Sequence, residues 1–288
     1  MKEQKYIIEN IDSFELKDIF DCGQCFRWNK EDDESYTGIF GENVLNVKKE
    51  EDKIIFQGIC KNNIKETVES YFDLNRDYKR IKEELAKIDD NMKPSIEYGK
   101  GIRILNQDLW ETIISFIISA NNNIPRIKGI IERLSKKYGK EIIWKEHKYY
   151  TFPTAEELKD VTVEEYRSLG LGFRDIRLYE TTKMVLSKKV DLDKMKQNTN
   201  TLEVREELLK LSGVGPKVAD CILLFSDLKR FEVFPIDVWV RRVMNDLYIK
   251  NPDETKVSKK QIEKIARDKF GNLAGIAQQY LFYWRREA

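Results

Sequence analysis

The chain has 288 residues, 35% of them charged, and its 51 lysines and arginines nearly balance 50 aspartates and glutamates. That length allows a sizeable core and one to three subdomains, while a net charge of +1 excludes a molecule that attracts polyanions with its whole surface. The longest apolar cluster, Ile113 to Ala120, is too short to span a bilayer and no secretory signal opens the chain, so a soluble, cytoplasmic protein with no membrane contact is expected.

Residues 1 to about 60 alternate in the way strands do. Tyr6–Ile8, Phe26–Trp28, Tyr36–Phe40, Val44–Val47 and Ile54–Phe56 are the candidate strands, punctuated by Gly38, Gly41 and Gly58. This segment sums to −6, with Glu31–Glu34 its densest acidic run. Cys22 and Cys25 have the spacing of a redox or metal pair. No second pair follows, and His147 is the only histidine, so no complete metal site is expected. Cys22, Cys25, Cys60 and Cys221 are read as intracellular thiols, mostly buried.

From Asn62 onward helical periodicity takes over. The pattern predicts helices over 62–73, 76–88, 106–120, 124–138, 155–169, 174–188, 201–210, 217–225, 238–249, 259–269 and 273–285, with Pro153, Gly170, Gly172 and Pro252 between them. Residues 121–140 sum to +5, so phosphate contacts are expected on this later part, with the acidic N-terminal turns facing away. The fold class is α+β. An N-terminal antiparallel sheet domain with trailing helices (1–100) precedes a mainly helical body of two subdomains (101–288), with a cleft between the subdomains.

One stretch, Leu211 to Asp237, concentrates chemistry. Gly213 and Gly215 flank Val214 in a turn where positive φ costs glycine nothing, and Pro216 suits the first turn of the next helix. Backbone N–H groups at such a helix start form a ready site for a phosphate oxygen. Lys217 sits where the helix dipole disfavours a positive charge, so its pKa is expected to fall if solvent is excluded, making the amine a nucleophile. Taken alone, it reads as a solvated charge, the usual state of a lysine at a helix start. Asp237 follows Pro235 and precedes an apolar-periodic run, the position of an N-cap, which does not prevent it from facing a cleft.

The phrase Leu211-Ser-Gly-Val-Gly-Pro-Lys217-Val-Ala-Asp-Cys221, with Pro235-Ile-Asp237 after it, resembles the helix–hairpin–helix, Gly/Pro-rich loop and aspartate motif of base-excision DNA glycosylases. The lysine marks the bifunctional branch, and Val-Ala-Asp-Cys is similar to the 8-oxoguanine DNA glycosylases. Four further segments resemble that family in order: Gly23-Gln-Cys-Phe-Arg-Trp28, Asn121-Asn-Asn-Ile-Pro-Arg126-Ile127, Leu169-Gly-Leu-Gly-Phe-Arg174, and Ala274-Gly-Ile-Ala-Gln-Gln-Tyr-Leu-Phe282. The matches run from about residue 20 to the C-terminus, and the helix–hairpin–helix itself falls at about 201–225.

The resemblance implies a bifunctional enzyme that flips 8-oxoguanine out of duplex DNA. Lys217 would attack C1′ of the deoxyribose and form a Schiff base, Asp237 would stabilise the charge developing on the sugar, and elimination of the 3′ phosphate would follow. No cofactor or metal is implied. The carbonyl of Gly23 would accept the N7–H that 8-oxoguanine has and guanine lacks. Cys221 and Phe282 would sandwich the base, and Gln278 would read its Watson–Crick edge. Periodicity alone makes Cys221 and Phe282 core positions and Gln278 a surface one. Asn121 would fill the vacated stack, Arg126 and Arg174 would bond the orphaned cytosine, and Phe173 would wedge into the duplex. Read singly, the two arginines are ordinary surface residues. Gly213, Gly215 and Trp239 would meet DNA phosphate. Trp239 and Arg285 stand where many eukaryotic members carry a histidine and an aspartate, which suggests a prokaryotic relative. The implied partner is double-stranded DNA bearing oxidised guanine, preferably opposite cytosine, bound by a monomer. Two other classes share parts of this pattern: a monofunctional alkylpurine glycosylase, against which Lys217 argues, and a non-catalytic helix–hairpin–helix DNA-binding module, which has no use for Lys217 and Asp237 together.

Overall fold

The alternating N-terminal segments form one antiparallel sheet in the computed structural model, which describes residues 2–287. Strands β1 (Glu3–Glu9), β2 (Trp28–Lys30), β3 (Tyr36–Phe40), β4 (Asn43–Glu50) and β5 (Lys53–Ile59) lie in the order β1-β5-β4-β3-β2. The register pairs Trp28 with Gly38, Gly38 with Leu45 and Val47 with Phe56, so these residues share one face. That face packs on helices α1 (Leu16–Phe20) and α2 (Ile64–Tyr71), burying Phe20, Val68 and Phe72 with it. Gly38 is glycine because a Cβ there would come within 2.3 Å of the Trp28 ring. The strand expected at Phe26–Trp28 begins only at Trp28, since the residues before it leave the sheet to face the helical body.

The other face of the sheet is covered by a hairpin absent from the sequence reading, β6 (Glu141–Trp144) and β7 (His147–Tyr150). Ile142 and Trp144 pack on Ile39, Val44 and Ile59. The residues joining β6 to β7, Lys145 and Glu146, hold φ of 47° and 65°, a turn normally marked by glycine or asparagine. Its usual signal is therefore missing.

The body consists of α3 (Tyr78–Ile88), α4 (Met92–Tyr98), α5 (Leu109–Ser119), α6 (Ile124–Tyr138), α7 (Val163–Ser168), α8 (Asp175–Leu186), α9 (Leu192–Gln197), α10 (Thr201–Leu209), α11 (Pro216–Phe225), α12 (Val238–Met244), α13 (Lys259–Phe270) and α14 (Ala274–Glu287). Helix α5 is apolar nearly all round and is accordingly buried at its centre. The helix expected over 155–169 is realised only as α7, restarted by a capping box between Thr162 and Glu165. The one expected over 238–249 changes at Asn245 to a π turn, which ends at Lys250 in the left-handed region.

A polar seam ties the sheet to the body. The buried Gln24 side chain donates to the carbonyls of Ile19 and Arg103 at 2.8 Å each and accepts from the Leu105 amide at 2.8 Å. Gln107 in turn donates to the carbonyls of Gln24 and Phe225, at 2.8 and 3.1 Å. Residues 22–26 thereby lie against the same core as α11 and α14.

Candidate active site

Helices α10 and α11 flank the glycine turn that the sequence singled out. Gly213 adopts φ +84°, and a Cβ there would meet Arg177 Cδ at 2.8 Å, so both conformation and space require glycine. Gly215 is different. Its φ is −96°, and among the described residues nothing lies within 4 Å of where a Cβ would stand. The open side of Gly215 leaves the backbone at the start of α11 approachable by an anion. Pro216 is the first residue of α11 and Lys217 the second.

The Lys217 ammonium lies 5.6 Å from the centre of the Phe116 ring, in the neighbourhood of Cys221 and Asp237. Its pKa is raised above the ordinary lysine value, which corrects the expectation of a depressed one. The Cys221 sulfur and the Asp237 carboxylate favour the ammonium by more than burial disfavours it. Burial pushes the Cys221 thiol up to about 11, with the neighbouring Lys217 acting in the opposite direction. Asp237 is indeed the N-cap of α12: its Oδ1 accepts from the Val240 amide at 2.9 Å. Among the described residues no hydrogen bond engages its other oxygen.

A second set of residues stands on the seam and on α14. Gly23 adopts φ +85°, and a Cβ there would come within 3.4 Å of Phe282 Cε1. Gln278, read from the sequence as a surface residue, is only 4% exposed, and its Oε1 is buried without a hydrogen-bond partner among the described residues. A buried amide oxygen left unpaired in this way costs roughly 1–3 kcal/mol and is poised for a donor from outside. Phe282 is half-buried at the edge of the core. The neighbouring thiols are inert: Cys22 donates to the Ile19 carbonyl at 3.4 Å and is pushed up to about 12 by burial, and Cys25 is raised for the same reason.

A third set gathers beside the turn after α5. Asn121 is exposed at φ 52°. Arg174 is not the surface arginine expected, being 1% exposed. Its guanidinium donates to the carbonyls of Ala120 and Asn121, at 2.5 and 2.9 Å, and so fixes Asn121 in its left-handed conformation. Arg126 is exposed and donates to the Gly170 carbonyl at 3.2 Å. Phe173, 54% exposed, has Arg174 and Arg177 at 4.2 and 5.0 Å from its ring centre. Trp239, half-buried early in α12, has Arg242 over its ring at 5.2 Å. Arg285 pairs with Asp246 at 2.5 Å, both side chains nearly half exposed.

Sequence reasoning left two contributors unassigned. Phe116 disappears in an apolar run that reads only as core, yet it links the sites: its ring meets Phe26 edge-on at 5.7 Å and underlies Lys217. Gln279 donates to the Cys22 carbonyl at 2.8 Å and anchors the Gly23 turn. Its only signal was its place beside Gln278.

Comparison with known proteins gives this geometry a family. Residues 6–113 match the 8-oxoguanine DNA glycosylase N-terminal domain, and residues 114–270 match the HhH-GPD superfamily of base excision DNA repair proteins. A probable N-glycosylase/DNA lyase of Methanothermobacter thermautotrophicus is 31% identical over 78% of this chain and 76% of its own length. The N-glycosylase/DNA lyase of Saccharomyces cerevisiae is 32% identical over 79% of this chain and 66% of its own. The crystal structure of Clostridium acetobutylicum 8-oxoguanine glycosylase/lyase, bound to double-stranded DNA with cytosine opposite 8-oxoguanine, aligns at a TM-score of 0.93. It is 45% identical and covers 99% of this chain and 97% of that one. The chain belongs to the HhH-GPD superfamily of base excision DNA repair proteins, in its 8-oxoguanine DNA glycosylase branch.

Proposed function

We propose that this member of the family is a bifunctional 8-oxoguanine DNA glycosylase and abasic-site lyase. The observation that carries the reading is a mostly buried lysine at the start of α11, set beside a carboxylate that caps the next helix. A DNA-binding module has no need of that pair, and a purely hydrolytic glycosylase has no need of the lysine.

The nucleotide is flipped out of the duplex before chemistry. The neutral Lys217 amine then attacks C1′, and the bond from C1′ to the base nitrogen breaks with its electron pair leaving on the base. Asp237 stays ionised while cationic character develops on the sugar and, once the bond from the lysine nitrogen to C1′ has formed, accepts the proton that this nitrogen sheds; a fixed carboxylate in a water-poor site suits that task. The C1′–O4′ bond then breaks, O4′ taking the proton held by Asp237, and the protonated Schiff base formed at C1′ acidifies C2′. Loss of a C2′ proton expels the 3′ phosphate and breaks the strand.

Recognition rests on a backbone acceptor. The Gly23 carbonyl takes the N7–H of 8-oxoguanine. Facing guanine it would meet a lone pair instead, an unmade buried hydrogen bond worth roughly 1–3 kcal/mol. Cys221 and Phe282 enclose the base, and the free Oε1 of Gln278 accepts from its Watson–Crick edge. On the other strand Asn121 fills the gap, Arg126 and Arg174 serve the cytosine, and Phe173 wedges the stack. The amides around Gly213 and Gly215, with Trp239, hold the phosphate. All these groups come from one chain, so a monomer suffices. Four free thiols suit a reducing, cytoplasmic location.

Borohydride trapping on a duplex with one 8-oxoguanine opposite cytosine tests the reading. A covalent adduct is expected with the lesion only, and Lys217→Gln should abolish it. Base release without any adduct would identify water as the nucleophile and sink the bifunctional reading.

A further inference from the structure

Arg286, on the last turn of α14, has no part in the chemistry described so far, yet its side chain is only 16% exposed. It lies four residues after Phe282 and therefore on the same helix face. Its guanidinium carbon stands 5.1 Å from the centre of the Phe282 ring, while Nη2 donates to the Asp21 carbonyl at 2.5 Å. Nη1 lies 2.9 Å from where a Cβ on Gly23 would be. One cation thus spans the aromatic ring and the turn that carries the Gly23 carbonyl. Among the described residues its one carboxylate contact is the neighbouring Glu287, at 2.8 Å and partly exposed. Gln279 and Tyr283, on the same helix, reach the Cys22 carbonyl and Asp18 at 2.8 and 3.4 Å. These two already anchor residues 18–22, so Arg286 is not required merely to dock the segment.

We propose that Arg286 is a positioning residue for base recognition, holding the Gly23 carbonyl and the Phe282 ring at the separation a purine needs. A flat guanidinium suits this role because it can stack on a ring and donate in its own plane at once. The inference rests on the base pocket named above, and it predicts a division of activities. Seating an oxidised base needs the clasp, whereas an abasic site has no base to seat.

The test is Arg286→Met, with Arg286→Lys beside it, assayed for excision of 8-oxoguanine and for borohydride trapping on a preformed abasic duplex. Arg286→Met should lower kcat/KM for excision by about 10²-fold, the scale of a small misplacement at a reacting centre, and narrow the preference over guanine. Trapping on the abasic duplex should stay within about twofold of wild type, well below the tenfold that 1.36 kcal/mol represents. Arg286→Lys should recover part of the excision. Unchanged or faster excision in Arg286→Met would overturn the proposal, the faster case showing that the guanidinium occupies the base's own place. Parallel loss of both activities in both variants would also overturn it, by assigning Arg286 to folding. If wild type traps abasic DNA but never excises 8-oxoguanine, it is the proposed substrate that fails.

Discussion

Replacing Asp237 by asparagine and by alanine separates its two roles. The carboxylate caps α12 through one hydrogen bond from Val240 at 2.9 Å. Asparagine can accept the same bond and ranks with aspartate as a cap, whereas alanine cannot and should cost about 1 kcal/mol. Loss of the negative charge at the helix start adds roughly 0.3–1 kcal/mol in either variant. Asp237→Asn should therefore lose under about 1 kcal/mol in urea unfolding, and Asp237→Ala between about 1 and 2 kcal/mol. Activity should not follow that order. Both variants lack the fixed charge facing the developing sugar cation, so single-turnover excision of 8-oxoguanine should fall by about 10²–10³ in each, the cost of removing one preorganised electrostatic partner. Schiff-base trapping at a preformed abasic site should be spared by comparison, because losing Asp237 also removes a charge that keeps Lys217 protonated. Near-normal excision by Asp237→Asn would reduce Asp237 to a helix cap and refute the reasoning.

The ionisation of Lys217 is open to direct measurement. Its pKa is held above the ordinary value by Cys221 and Asp237, and the attacking form is the neutral amine. The rate of trapping at an abasic site, measured at saturating DNA, should rise about tenfold per pH unit with no plateau below the ordinary lysine value of about 10.4; a plateau near pH 8 would contradict the assignment. Phe173→Ala should change stability by less than about 0.5 kcal/mol, since over half the side chain is exposed. It should nevertheless weaken binding to the lesion duplex in a fluorescence titration, and unchanged binding would remove Phe173 from the interface.

Much of the site was legible because its residues are tied to backbone demands. The turn at Gly213 needs a left-handed residue in a crowded place, and such positions leave a glycine in the sequence. Asp237 was readable as a cap because an apolar-periodic helix follows it. The sheet was legible through alternation, and β3 was found at Tyr36–Phe40 as expected although it is buried on successive residues, because the β6–β7 hairpin lies over its outer side. That hairpin had no signal, since its turn is made by Lys145 and Glu146 in conformations that glycine usually marks. Helices α1, α4 and α9 were missed because five to seven residues are too few to display a period of 3.6. Arg174 and Gln278 were misread for another reason. Their burial depends on partners distant in sequence, namely the carbonyls after α5 for Arg174 and the seam at Gly23 for the helix that bears Gln278.

Lys217 is the most instructive case, because a sound local rule gave the wrong sign. A helix start and a dry environment both disfavour an ammonium, and neither effect is absent here. They are outweighed by Cys221, one turn along the same helix, and by Asp237, a carboxylate delivered from another element at close range. Burial alone disfavours the ammonium; burial beside Cys221 and the Asp237 carboxylate together does the reverse, because the same exclusion of water that penalises a lone charge strengthens its interaction with close partners. A phosphate bound at the nearby turn would add negative potential and favour the ammonium further. The free enzyme therefore keeps its nucleophile protonated. Activation has to come with the substrate: as positive charge develops on the sugar, it competes with the lysine for Asp237, and the ammonium's advantage falls as that charge grows. Under this electrostatic account, cation formation at C1′ and loss of the lysine proton are coupled through one carboxylate. Removing that carboxylate should then hurt base excision far more than attack on an aldehyde that is already free.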